Sequence, residues 1–141
     1  MIDIMLFEQE LTNFFRSIDS VNFAYLFGSI VRGDANELSD VDIAVMLDES
    51  LSKKDMFNEE LDLISELTRV LKSDKIDLVV LNDVPLLLKY NIIKNGHVLK
   101  SDETKRIAFE TGVMSRYLDE RYYIKRHTDM TLQRIARSGF A

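Results

Sequence analysis

Two short apolar runs, NFAYLFGS at 22–29 and DVDIAVML at 40–47, do most to limit what this chain can become. Both are rich in aromatic or β-branched residues and bounded by turn-forming ones, so both predict strands. The first breaks off at Gly28-Ser29; ten residues later the second opens on Asp40-Val41-Asp42. Residues i and i+2 of a strand share a face, so Asp40 and Asp42 stand side by side, with Ala44 and Met46 continuing their face. Ile43, Val45 and Leu47 fill the other. Two carboxylates this close repel each other unless a cation or a proton intervenes.

A third run, KIDLVVL at 75–81, carries Asp77 just ahead of LVVL. Being apolar on both faces, it is expected in the centre of the sheet. If it neighbours the second strand with these ends level, three carboxylates converge. Such a cluster binds one or two divalent ions, which bridge phosphate oxygens during an in-line displacement. Cysteine is absent, and His97 and His127 are the only imidazoles, so the metal expected is Mg²⁺ or Mn²⁺ held by oxygen. Gly28 lets the backbone approach a phosphate closely, and the Ser29 hydroxyl and nearby N–H groups can donate to it. If Ser29 begins a short helix, its dipole adds to that preference. Arg32, one turn on, is within reach of a triphosphate.

The remaining pattern is helical. Ile4, Phe7, Leu11, Phe14 and Ile18 recur at steps of three and four, predicting a helix over 3–17. Ile30 to Asn36 reads as a turn or short helix punctuated by Gly33 and Asp34. A longer helix over 53–72 is expected to bury Phe57, Leu61, Ile64, Leu67 and Leu71, with Ser52 and Asp55 at its cap. Pro85 suits a first helical turn, and Asn95-Gly96 ends that helix before a short strand near HVLK. Ser101 and Asp102 open a last helix, expected to run to about residue 126. The fold class predicted is α/β: a mixed sheet of about four strands flanked by helices, with a long C-terminal helix.

Length bounds the domain count. With 141 residues, one domain over 1–141 is expected, its core at about 20–100 and a helical segment at 101–141. There is no apolar run long enough for a membrane span. The opening MIDIMLFEQE is acidic where a signal peptide is basic, so a cytoplasmic location is expected. The net charge of −6 argues against direct nucleic-acid binding, which needs a basic footprint. The charge is uneven. Residues 1–115 hold 12 Lys+Arg against 21 Asp+Glu, whereas residues 116–141 hold six against three, with tyrosines among the bases. That segment is either a solvated helix face or a docking surface for an acidic partner, to which Arg121 and Lys125 would contribute.

Gly28-Ser29, ten residues, Asp40-Val41-Asp42 and then Asp77 together resemble the signature of the DNA polymerase β-like nucleotidyltransferases. The chain is most similar to the minimal branch of that superfamily, in particular the MntA-type antitoxins that pair with HEPN-domain RNase toxins. The resemblance is strong over about 22–48, good over 75–100 and general beyond 101. It implies that Asp40 and Asp42 bind metal and that Asp77 binds metal or acts as general base. It assigns Gly28 and Ser29 to the nucleotide phosphates. It also implies transfer of AMP from ATP to a tyrosine of a cognate HEPN toxin, in a hetero-oligomer. Two other functions fit the motif: transfer to a small molecule, as in aminoglycoside-modifying relatives, and a non-catalytic antitoxin acting by contact. Tyr117, Tyr122 and Tyr123 read as packing or interface residues and His97 as structural. The Arg121–His127 spacing, which loosely matches an RNase motif of HEPN proteins, reads as chance.

Overall fold

The structure, a computed structural model, describes residues 4–33 and 40–138, with side chains over 5–33 and 40–121. The elements run α1 (Ile4–Arg16), β1 (Val21–Phe27), α2 (Ser29–Arg32), β2 (Val41–Leu47), α3 (Lys53–Leu71) and β3 (Ile76–Val80). A 3₁₀ turn (Leu81–Asp83), α4 (Leu86–Asn95), β4 (His97–Ser101) and α5 (Glu103–Ser138) follow. The strands form one mixed sheet in the order β3-β2-β1-β4. β1 pairs antiparallel with β2 and β4, and β2 pairs parallel with β3 through the α3 crossover.

Strand parity sorts the core into two layers. On one face Leu26, Ile43, Val45, Leu47 and Leu78 pack with Leu11 and Phe15 of α1 and Leu63 and Leu67 of α3. On the other, Phe23, Tyr25 and Ala44 pack with Leu81 and Ile92, and Phe109 of α5 leans on them. A register shift between Val21 and Phe23 lets Val21 join the first layer while Phe23 joins the second. Ser52 caps α3 as expected, its hydroxyl accepting from the Asp55 N–H at 3.1 Å. Asn82 clasps the end of β2: its side chain accepts from Leu47 N–H and donates to Leu47 C=O, both at 2.9 Å.

Three expectations are corrected. β3 lies at the edge of the sheet, not at its centre. Its two-sided apolar character reports cover on both faces, by α3 and by the segment after the 3₁₀ turn; it says nothing about pairing on both edges. The α3 face is rotated from the one anticipated: Leu63 and Leu67 are buried, whereas Phe57 and Leu61 are 59% and 51% exposed. The packed stripe is Met56, Leu63, Ile64, Leu67 and Leu71. Finally, α5 continues to Ser138, because after Pro85 no proline interrupts the chain and Gly112 is the only glycine in the helix. The anticipated turn residues Asp34 and Asn36, and the side chains of Ile4, Tyr122, Tyr123, Lys125 and His127, lie outside the described residues.

The rotation of α3 has a direct test. Leu67→Ala should destabilise the fold by about 2–5 kcal/mol, whereas Leu61→Ala should change it by less than about 0.5 kcal/mol. Urea midpoints of the two variants against the parent measure the difference.

Candidate active site

The sheet order sets the site. Because β1 runs antiparallel to β2 while β3 runs parallel to it, the C-terminal end of β1 and the N-terminal ends of β2 and β3 lie together. In register, Asp42 faces Phe27 of β1 on one side and Asp77 of β3 on the other. Directly paired residues share a face, so Asp42 and Asp77 project from the side that continues into Ala44 and Val79. Asp40 immediately precedes β2 and is exposed, as is Asp77, while Asp42 is half-buried. The structure thus brings Asp42 and Asp77 side by side at one sheet end, with Asp40 within electrostatic reach.

The Asp42 carboxyl is held above the ordinary carboxylate range. Burial contributes most, followed by the charges of Asp77 and Asp40, and Arg32 opposes them. Among the described residues no group of three or more acids or histidines closes around a metal position. The donor chemistry nonetheless fits a hard divalent cation. Mg²⁺ is usually held by one or two carboxylates, with water and substrate phosphates supplying the rest. A cation at Asp42 and Asp77 would also relieve the repulsion between the two carboxylates.

Two features favour glycine at position 28. Its φ is 83°, the left-handed region, and a Cβ there would fall 1.9 Å from the Asp42 Oδ2. The loop backbone therefore lies directly against the carboxylate. Ser29 begins α2, as anticipated, but a helix of four residues adds little dipole. What it offers is its first-turn N–H groups, which have no acceptor one turn back within the helix. Arg32 ends α2 on the exposed side and reaches Asp42 electrostatically.

A cavity of about 230 Å³ opens beside Asp42. Phe27, Gly28, Val31 and Arg32 form one side of it, and Leu88, Asn91, Ile92 and Asn95 of α4 the other. The α4 residues were not anticipated. Their signal is only the i,i+4 pair of asparagines, which nothing in the primary sequence connects to a motif fifty positions earlier. Of the residues read as packing or structural, Tyr117 stacks on Tyr90 with ring centroids 3.6 Å apart, and His97, exposed, pairs with Glu8. Arg121 is exposed.

Two outcomes follow for the protein without metal. The raised Asp42 destabilises the fold progressively as pH rises from the ordinary carboxylate value through the raised one, and has no effect below both. Asp42→Asn should therefore raise the melting temperature at neutral pH, by a margin that shrinks as the solution is acidified. Gly28→Ala should instead lower stability by roughly 1–3 kcal/mol through the left-handed φ and the displaced carboxylate. Thermal melts with and without Mn²⁺ check both, since each variant should also lose metal-dependent stabilisation.

The polymerase beta nucleotidyltransferase family model matches residues 9–105. No curated protein sequence matches the chain. Among solved structures it is similar to a chain in a toxin–antitoxin crystallised with AMP-PNP, at 25% identity and a TM-score of 0.66 over 89% of this chain and 98% of that one. It is also similar to a chain of the MntA–HepT toxin–antitoxin, at 24% identity and a TM-score of 0.62 over 91% and 98%. A third likeness, at 23% identity and a TM-score of 0.62 over 92% and 99%, is to the complex of a tri-AMPylated Shewanella oneidensis HEPN toxin with an MNT antitoxin. No helix among the described residues is long and apolar enough to cross a membrane. With a four-stranded mixed sheet, a pair of acids in register at one end and a family match across more than half its length, this chain belongs to the polymerase beta nucleotidyltransferase family.

Proposed function

We propose that this chain is an antitoxin that transfers AMP from ATP, with Mg²⁺ or Mn²⁺, to a hydroxyl of a HEPN RNase partner, a tyrosine being the acceptor. The observation that carries the proposal is the pairing of Asp42 with Asp77 in register, with the Gly28 backbone packed against the same carboxylate. A like-charge pair maintained against its own repulsion favours a cationic ligand over a purely structural role. In this reading Asp40, Asp42 and Asp77 hold the metal, and Gly28, Ser29 and Arg32 hold the phosphates. Bound there, one or two divalent ions would neutralise charge developing on the phosphate oxygens.

In the reaction the acceptor oxygen forms a bond to the α-phosphorus of ATP. The bond from that phosphorus to the bridging oxygen breaks, and pyrophosphate leaves. The hydroxyl proton passes to Asp77 or to water. A carboxylate beside cations is a weak bulk base, so alignment of acceptor and phosphorus contributes more than proton removal. The toxin–antitoxin complexes among the similar structures support a protein acceptor, and the AMPylated toxin supports AMP as the group transferred. In this reading the basic segment 116–141, rich in Lys and Arg, is the part of the sequence that meets an acidic partner.

The test is transfer of label from α-labelled ATP to a cognate HEPN RNase in the presence of Mg²⁺. Label should appear on the partner. Asp42→Asn should reduce it on the order of 10²-fold or more, the loss of several kcal/mol of transition-state stabilisation. RNase neutralisation that survives both Asp40→Asn and Asp42→Asn would instead establish an antitoxin acting by contact alone.

A further inference from the structure

β3 borders the sheet on one side, and its outer edge is open. The Val41 N–H donates to the Lys75 carbonyl, which fixes the parallel ladder so that Lys75, Asp77 and Val79 turn their backbone groups toward β2. The N–H and C=O groups of Ile76, Leu78 and Val80 therefore point away from the sheet, and no other described residue bonds them. A row of unpaired groups like this is a template for another strand. Beside it runs a groove of about 750 Å³ with walls from both faces of the sheet. Met56 and Phe57 of α3 stand on one side, Val84 and Leu88 on the other, and Leu78 to Val80 lie between them. The groove is thus centred on the edge itself. Gly28, Arg32, Asp42 and Asp77 do not line it.

The groove's chemistry selects its occupant. Phe57 offers an exposed apolar surface at the rim. Glu49, Glu60 and Asp83 line the groove against a single base, Lys53, so an incoming strand gains from basic side chains as well as apolar ones. A second copy of this chain is a poorer fit, because pairing β3 with β3 across a two-fold would bring two acidic rims together. Strand geometry links the groove to the reacting end. A residue paired with Asp77 places its side chain on the face that Asp77 shares with Asp42. Neighbouring strands lie roughly 5 Å apart, so that side chain crosses about this distance to reach Asp77 and about twice it to reach Asp42. A serine hydroxyl, one bond beyond its Cβ, stays over its own strand. A phenol, carried past its ring, spans the gap to Asp77.

We propose that the open edge of β3 takes up an extended, apolar and basic segment of the acceptor protein as a fifth strand, which lays a tyrosine of that segment across Asp77 toward Asp42; this rests on the transferase reading above. Main-chain hydrogen bonds to Ile76, Leu78 and Val80 supply affinity, and the groove reads alternate side chains.

Amide exchange is followed on the full chain, alone and with the cognate HEPN RNase, in Mg²⁺ and an ATP analogue that cannot be cleaved at the α-phosphorus. The N–H groups of Ile76, Leu78 and Val80 should exchange on the order of tenfold more slowly in the complex, while those of Asp77 and Val79, already bonded to β2, change little. Three variants are assayed beside the parent with α-labelled ATP: Phe57→Ser, Glu60→Lys with Asp83→Lys, and Val80→Pro, which removes an outward N–H and leaves the ladder to β2 intact. Melting temperatures confirm folding, and the two rim variants carry the test if the proline variant does not fold. Each should raise the KM for the RNase on the order of tenfold and leave ATP affinity unchanged. Edge amides that exchange alike with and without the RNase overturn the proposal and leave the transferase reading standing. So does a KM that none of the variants moves, or an ATP affinity that falls in step with it. Edge protection that grows with the concentration of this chain alone overturns it too, by giving the edge to a second copy. If the parent transfers no label, the transferase reading falls and the proposal falls with it.

Discussion

Parallel pairing of β2 with β3 sets Asp42 directly beside Asp77, and that enforced meeting of like charges is the constraint on which the rest of the structure depends. Left to themselves, the two strands would slip to separate the acids. A slip of one residue, however, would turn every side chain of β2 to the wrong face, taking Ile43 and Val45 out of the layer they share with Leu63 and Leu67. The apolar layer thus holds the acidic end in place. The Asn82 clasp on Leu47 secures the far end of the same strand, so β2 is fixed at both ends.

The two faces of the sheet divide the work. One is closed by α1 and α3 and is wholly apolar among its buried members. The other is covered by α4 and α5, and there polar groups are built in. Tyr25 donates its hydroxyl to Glu110 at 3.0 Å, and Arg106 bonds Glu110 through both carboxylate oxygens. Burial, then the Glu110 charge, drives the Tyr25 phenol well above its usual range, so it remains a neutral donor at any physiological pH. This network fastens the start of α5 to the sheet. The acids and the cavity lie on the same face, where α4 stops short of closing it.

How much of this was legible in the sequence follows from the range of each signal. Asp40, Asp42, Gly28 and Ser29 were readable because strand parity and a strand's ends are local properties. Asp77 was readable as a candidate on the same grounds, although only the register makes it a neighbour of Asp42. The edge position of β3 was not readable: an apolar run records what covers its faces, and pairing is decided by distant strands. The rotation of α3 was missed because Phe57 and Leu61 fit a helical period as well as Leu63 does. Asn91 and Asn95 were invisible because an amide has no pattern of its own until α4 is laid across the end of β1.

The order of strands also has a consequence for the chain as it is made. Everything that builds the acidic end, from Gly28 to Asp77, is contained within residues 21–80, whereas the partner for the other edge of β1 is β4, beginning at His97. During synthesis β1 therefore waits with an open edge, and with Phe23 and Tyr25 lacking Phe109 and Glu110 above them, until residues well past 101 have emerged. Pairings that close over such long stretches of chain are the slow ones in folding. An unpaired apolar edge is also where nascent chains associate. A ribosome-bound or truncated product ending between residues 81 and 96 would hold the complete acid set on a sheet that still lacks β4, with one edge of β1 unpaired.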